Sequence, residues 1–304
     1  MTTDAEIIER INKLRKERQA IIVAHNYQRP EVQDIADYVG DSLGLAQEAA
    51  KTDAKVIVFC GVHFMAETAA LISPDKIVLM PDTNAGCPLA NMITVRQLCE
   101  EKVRYPGAVV VAYVNTSAAI KAESDYCCTS SNAVKVVNAI PKDKKIIFIP
   151  DQSLGNYVAR QTKRELVFWK GYCPTHHRIF ARDILERKKL YPKAKVVVHP
   201  ECLQEVIDLA DKVASTSGIL KYCRESAAQE FIIGTEIGIL HRLKKENPDK
   251  TFVEASKLAD CPNMKLNTLE KVLWSLEDMF YPVTVPPEIA RRALKSIQRM
   301  LEIT

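Results

Sequence analysis

The chain has 304 residues, about twice one ordinary domain, with 47 % hydrophobic and 26 % charged residues, a mixture that excludes a disordered tail, a collagen-like repeat and a coiled-coil rod. Lys+Arg 42 against Asp+Glu 38 leaves +4, too even for a general nucleic-acid or membrane-surface binder. Nine cysteines, an odd count in a chain this long, do not make a disulfide framework. Met1–Glu6 has no basic stretch followed by an apolar run, and no segment approaches the roughly 20 apolar residues needed to cross a bilayer. The expectation is a cytoplasmic protein whose cysteines are buried hydrophobes, catalytic thiols or metal ligands.

In chain order, Ile7, Ile8, Ile11 and Leu14 first mark one face of a helix. Nine short apolar runs follow, at Ile21–Ala24, Val56–Phe59, Lys76–Met80, Val109–Val114, Lys145–Ile149, Glu165–Trp169, Val196–Val198, Phe231–Ile233 and Thr251–Val253. Continuous runs of this length suit parallel strands buried on both faces, and the intervals are long enough for crossover helices. The fold class is therefore α/β, with chemistry expected just past the C-terminal ends of the strands. Pro286-Pro287-Glu288 opens a last helix running to Leu301.

The runs fall into a repeat. Three cysteines precede proline, Cys87-Pro88, Cys173-Pro174 and Cys261-Pro262, where composition alone gives about 0.4 such pairs. Their separations are 86 and 88 residues. His25-Asn26-Tyr27, Tyr113-Val114-Asn115 and His199-Pro200-Glu201 end the first strands on the same ruler, and Ser42, Ser130 and Thr216 follow at matching distances. Three homologous three-layer βαβαβ units around a pseudo-threefold axis, with a central active-site cavity, are the simplest account. The units are residues 1–107 with the N-terminal helix, 108–194, and 195–304 with a C-terminal helix that reaches toward the first unit. No Gly/Ser linker separates them, so they pack tightly.

A threefold axis brings equivalent loops together. Three thiolates, from Cys87, Cys173 and Cys261, can hold a cubane iron–sulfur cluster with one iron open, or a zinc with one open position. An open position suits Lewis-acid assistance to a departing oxygen. His25 and His199, each two residues before Tyr27 or Glu201, read as acid–base groups of the cavity. Ser42, Ser130 and Thr216 read as helix caps whose N–H groups favour a carboxylate or phosphate. Cys60, Cys99, Cys202 and Cys223 read as small buried hydrophobes, and the pair Cys127-Cys128 as structural or redox-sensitive. His176 and His177 follow Cys173-Pro174 closely enough to sit near a metal, but as the opening of a basic helix they read first as solvated residues; His63 and His241 read as structural. The ends of the second apolar run in each unit, Cys60-Gly61-Val62-His63, Pro150-Asp151-Gln152-Ser153 and Gly234-Thr235-Glu236, read only as turns.

Ala24-His25-Asn26-Tyr27-Gln28, Gly40-Asp41-Ser42, Phe64-Met65-Ala66-Glu67, Tyr113-Val114-Asn115, Val198-His199-Pro200-Glu201, Gly234-Thr235-Glu236-Ile237-Gly238 and Asn263-Met264-Lys265 stand in an order that strongly resembles the quinolinate synthase family, the iron–sulfur quinolinate synthetase A enzymes of de novo NAD biosynthesis. The resemblance runs almost the whole chain. It implies one [4Fe–4S] cluster per chain on Cys87, Cys173 and Cys261, with one iron open to substrate. It also implies condensation of iminoaspartate with dihydroxyacetone phosphate to quinolinate, phosphate and water. His25, Ser42, Tyr113, Val114, Asn115, Ser130, His199, Pro200, Glu201 and Thr216 would line the substrate site. Tyr27, His199 and Glu201 would move protons, with His25 orienting substrate. A functional coupling to the enzyme that supplies iminoaspartate is implied, and neither nucleic acid nor membrane. Some members carry a cysteine set able to form a redox disulfide near the third ligand; here Cys261 is followed by Pro262-Asn263-Met264. Two other readings share the cluster: a hydro-lyase acting on another small polycarboxylate, and a redox or iron sensor.

Overall fold

An apolar strand needs cover on both faces, and twelve short strands find it in three separate sheets. The structure, a computed structural model, describes residues 3–303. β1 (Ala20–His25), β2 (Tyr38–Gly40), β3 (Val56–Cys60) and β4 (Ile77–Leu79) form the first sheet. β5 (Val109–Tyr113), β6 (Tyr126–Cys128), β7 (Ile146–Ile149) and β8 (Val167–Phe168) form the second. β9 (Lys195–Val198), β10 (Lys212–Val213), β11 (Glu230–Gly234) and β12 (Thr251–Glu254) form the third.

All strand pairs are parallel, and the spatial order is the same each time: β2-β1-β3-β4, β6-β5-β7-β8 and β10-β9-β11-β12. The nine runs read from sequence are all strands. Each unit adds a fourth, the edge strand β2, β6 or β10, two or three residues long and too short to leave an apolar run. Chain direction across each sheet reverses at the first strand. The crevice between the C-terminal ends of β1 and β3, and of their equivalents, is thus a topological switch point, where such sheets bind ligands.

One clasp recurs in every unit. The Asp37 carboxylate accepts from the Ile22 N–H at 2.8 Å, Asp125 from Val110 at 2.8 Å and Asp211 from Val196 at 2.8 Å. The backbone N–H groups of the same aspartates donate back to the carbonyls of Ile22, Val110 and Val196. Each clasp fastens the edge strand to the central strand across the first crossover. The aspartates stand 88 and 86 residues apart, the spacing of His25, Tyr113 and His199.

Alternate residues of the central strands face different cores. Val23, Val111 and Val197 join one apolar cluster common to all three units, while Ile22, Val110 and Val196 enter clusters private to each. The helices Ser42–Lys51 and His63–Ile72, with their equivalents, contribute Leu45, Phe64, Val136, Leu154, Ile219 and Leu243 to the common core. This is the three-layer arrangement repeated, with one layer facing inward each time.

The N-terminal helix is Asp4–Glu17, closed by a Thr3–Glu6 capping box. It packs against Leu269–Asp278, whose Val272 and Leu276 complete the private core of the first unit. The last helix, Pro287–Glu302, starts at the expected proline. It lies chiefly on the second unit, against Ala118–Ala122 and β6, with a smaller contact on His63–Ile72 of the first. The expected docking on the first unit is therefore only its lesser contact. Ala293, Ile297 and Met300 carry its apolar stripe into the common core. Among the described residues no helix is long and apolar enough to cross a membrane.

A charged acceptor on a strand N–H contributes about 1.5–3 kcal/mol. Asp125→Ala is expected to lower unfolding free energy by about 2 kcal/mol, read from urea denaturation. An unchanged midpoint would remove the clasp from the account of the fold.

Candidate active site

The loop after each fourth strand carries one Cys-Pro. Proline has no N–H and a fixed φ, −57° at Pro88, so the next donors able to reach the sulfur lie two and three residues on. A short 3₁₀ turn follows each time, at Leu89–Asn91, His176–Arg178 and Met264–Leu266. Its entry aims those N–H groups at sulfur: Leu89 and Ala90 at Cys87, His176 at Cys173, Asn263 and Met264 at Cys261.

The loops are also tied to one another and to their sheets. Asn263 Nδ2 donates to the Gly86 carbonyl at 2.7 Å. At the end of β11, Glu236 accepts from the Cys261 N–H at 3.1 Å; at the end of β7, Asp151 pairs with Gly171 in a parallel bridge, where the Gln152 N–H donates to the Gly171 carbonyl at 2.8 Å. The first unit has no acid there. Its loop is joined instead by the His63 N–H donating to the Ala85 carbonyl at 2.8 Å.

All three cysteines line one cavity at the switch points of the three sheets. Burial pushes the Cys87 thiol up to about 12, and the charges of Cys261 and Glu201 add to it. Cys173 and Cys261 shift the same way, also through burial. Three sulfurs with backbone donors aimed at them, yet protonated on their own, are a donor set that becomes thiolate when a cation arrives. Arg178 is the one permanently cationic side chain that lines the cavity, too little to balance three thiolates, so the set fits an iron–sulfur group.

His25 and His199 occupy the same place in two units and share one geometry. His25 Nδ1 accepts the Tyr27 N–H at 3.2 Å, and His199 Nδ1 accepts the Glu201 N–H at 3.3 Å. The backbone two residues on thus fixes the tautomer, leaving Nε2–H toward the cavity in both. Burial, only partly opposed by Asp41, lowers His25 to about 4. Burial, partly opposed by Glu201, lowers His199 to about 3. Both rings are neutral donors near pH 7. The Nε2–H of His199 reaches Ser130 Oγ of the second unit at 3.1 Å.

His176 departs from the sequence reading. It is 2 % exposed, stacked on His199 with ring centroids 4.7 Å apart, and does not solvate a helix start. The 3₁₀ turn after Cys173-Pro174 folds it inward before the basic helix Ala181–Leu190 begins. His176 Nδ1 lies 2.9 Å from Glu201 Oε2 and 3.1 Å from Cys173 Sγ, and Nε2 lies 2.8 Å from Thr235 Oγ1. Thr235 Oγ1 bonds Tyr27 Oη at 2.6 Å, and Tyr27 Oη bonds Thr216 Oγ1 at 2.9 Å. One hydrogen-bonded chain therefore joins Thr216, Tyr27, Thr235, His176 and Glu201. Burial opposes charge on Glu201, but His176, His199 and the Tyr113 hydroxyl hold its carboxyl down to about 2. Burial raises Tyr27 and Tyr113 well above the usual phenol range. Glu201 Oε1 and Asn115 Oδ1 are buried without a partner. The third-strand ends, read only as turns, thus supply Thr235, Asp151 and Glu236.

The three hydroxyls are not caps. Asp41 caps Ser42–Lys51 by accepting from Gly44, and Ser215 caps Thr216–Glu225 by accepting from Gly218. Ser130 precedes the helix Ala133–Ala139 by a turn. Ser42, Ser130 and Thr216 instead line the cavity, as do His25, Tyr27, Tyr113, Asn115, His199 and Glu201. Val114 and Pro200 are buried beside it without lining it. Of the remaining cysteines, Cys60, Cys127, Cys128, Cys202 and Cys223 are buried, whereas Cys99 is exposed. In the helix Val95–Arg104 only Leu98 turns to the core, which leaves Cys99 on the solvent side.

The sequence model of the quinolinate synthetase A protein matches residues 9–302. The chain belongs to that family. It is 57 % identical over 298 residues to a quinolinate synthase of Geotalea uraniireducens and 56 % over 298 to one of Dehalococcoides mccartyi, with 98 % of each chain covered. A quinolinate synthase of Methanosarcina barkeri is 54 % identical over 299 residues, again covering 98 % of both chains. The quinolinate synthetase A family is one of iron–sulfur enzymes, which agrees with the donor set above.

The buried rings make a signed prediction for metal-free protein. Below pH ~6.5 unfolded histidines charge, while folded His25 and His199 stay neutral to about 4 and about 3, so stability is lost as pH falls through that window. Glu236, which burial raises to about 7, and Asp151, which burial raises well above the usual carboxylate range, act oppositely and offset that slope. His25→Gln should remove about one proton, ~1.4 kcal/mol per pH unit, from that slope in urea titrations at pH 5 to 6.5.

Proposed function

We propose that the chain is a quinolinate synthase, joining iminoaspartate to dihydroxyacetone phosphate and releasing quinolinate, one phosphate and two waters for NAD biosynthesis. The observation that carries this reading is the convergence of one Cys-Pro loop from each unit on a cavity lined by neutral imidazoles, hydroxyls and an ionised glutamate. Cys87, Cys173 and Cys261 would hold one [4Fe–4S] cluster, which when bound supplies an open Lewis-acid position for a substrate oxygen.

The side chains divide the remaining work by their chemistry. His25 Nε2–H, Asn115 and the hydroxyls of Ser42, Ser130 and Thr216 orient the carboxylates and phosphate of two anionic substrates, without a basic patch. Tyr27 keeps its proton and is a donor to a departing or developing oxygen. Glu201, with one oxygen free of partners, receives protons from carbon or nitrogen. The chain through Thr235 and His176 links it to Tyr27, so a proton taken at one end is available at the other. His199 braces Ser130 through its Nε2–H. Val114 and Pro200 act through the backbone that carries Asn115 and Glu201. An imine substrate hydrolyses in water, which favours handover from the enzyme that makes it, in the cytoplasm.

A second reading has one observation of its own. Cys173, His176 and Glu201 each bring a ligand atom within 4.8 Å of the others, an arrangement for a single divalent ion such as zinc. Cys87 and Cys261 stand outside that trio.

Anaerobic protein loaded with iron and sulfide should form quinolinate from the two substrates, detected by chromatography; absence of product from cluster-loaded protein rejects the assignment. Cys87→Ser, Cys173→Ser and Cys261→Ser should each lose iron, sulfide and the brown colour, while Cys60→Ser and Cys99→Ser keep them. Retention of metal by the Cys87 and Cys261 variants alone would favour the single-ion site.

A further inference from the structure

Lys121 lies outside every role given above, yet it is 0 % exposed and among the largest fully buried side chains. Its ammonium donates to the Thr116 carbonyl and sits over the Phe64 ring, 5.4 Å from the centroid. Phe64 itself lines the cavity, as does Cys87. Among the described residues no carboxylate lies within ion-pair distance of the ammonium. A buried charge without a partner is expensive, and a cation–π contact offsets only part of the cost.

Three groups of opposite sign stand near it: Cys127, Glu67 and Cys87. Cys127 is a buried thiol bonded to Ser296 Oγ at 3.3 Å, and burial keeps it protonated. Glu67 turns away, its Oε2 accepting the Ala118 N–H at 3.0 Å with His63 at 3.9 Å. Cys87 alone is a sulfur that a cation in the cavity would convert to thiolate. Three thiolates outnumber the positive charges of an oxidised cubane core and leave one net negative charge, which reduction doubles.

We propose that Lys121 is the buried counter-charge of the cluster, placed behind the Phe64 ring on the Cys87 side, where it stabilises the assembled cluster and raises its reduction potential. This rests on the cluster reading above. A fixed positive charge in a medium of low dielectric also draws electron density from the irons, favouring the Lewis-acid role. Lys121 is a positioning residue for charge and touches no substrate.

The test compares wild type, Lys121→Met and Lys121→Gln, all reconstituted anaerobically. The glutamine keeps a donor for the Thr116 carbonyl; the methionine keeps apolar volume. Both should show a more negative midpoint in EPR-monitored reductive titration and lose iron to a chelator several-fold faster. Metal-free Lys121→Met should melt no lower than wild type, because an unpaired charge has left the core. A wild-type midpoint and wild-type iron loss in both variants overturn the proposal. So does a defect seen only in Lys121→Met, which would make Lys121 an anchor of the Tyr113–Thr116 loop. Failure of wild type itself to bind iron and sulfide overturns the cluster reading, and this inference with it.

Discussion

A parallel sheet has two apolar faces, and neither can be left to water; the rest of this molecule follows from how three small sheets meet that demand. Each is only four strands wide, too small to cover itself. Each turns one face to helices of its own and gives the other to a core held in common, so Val23, Val111 and Val197 meet one cluster while their sequence neighbours meet three. The common core fixes the units against each other and so fixes where their strand ends point.

That orientation creates the chemistry. Strand ends of three sheets open on one cavity, and each contributes a sulfur whose loop is shaped by proline and a 3₁₀ turn. Burial opposes charge across much of the site, raising the thiols and lowering the imidazoles, so its charges stand at a few groups, among them Asp41, Arg178, Glu201 and the Glu236–Lys265 pair, with Lys121 behind. A site of this kind binds charged partners in matched sets: thiolates with metal, substrate anions with N–H and O–H donors.

Much of this was legible in the residues. The strands announced themselves because two-sided burial writes uninterrupted Val and Ile, and the cysteine trio because a repeat leaves a ruler in the chain. The edge strands β2, β6 and β10 were hidden because half-buried strands of two or three residues leave no pattern. Ser42 and Thr216 read as caps because a hydroxyl before an apolar helix is the usual cap; the true caps, Asp41 and Ser215, stand one residue earlier. His176 was hidden for a different reason. Its neighbours His177 and Arg178 speak for solvent, and only the tight turn after Cys173-Pro174 reverses its direction. Lys121 left no trace, since a lysine in a short helix is ordinarily at the surface.

The route of the last residues bears on how the molecule is made. Leu269–Asp278 covers the outer face of the first unit and Pro287–Glu302 covers the second, where Asn132 Nδ2 donates to the Met300 and Ile303 carbonyls. A chain leaving the ribosome N-terminus first therefore holds two unfinished cores until both of these helices have emerged. Of the three Cys-Pro loops, that of Cys261 is likewise made last. The site can close only after that loop is made, and until then these apolar faces stand uncovered.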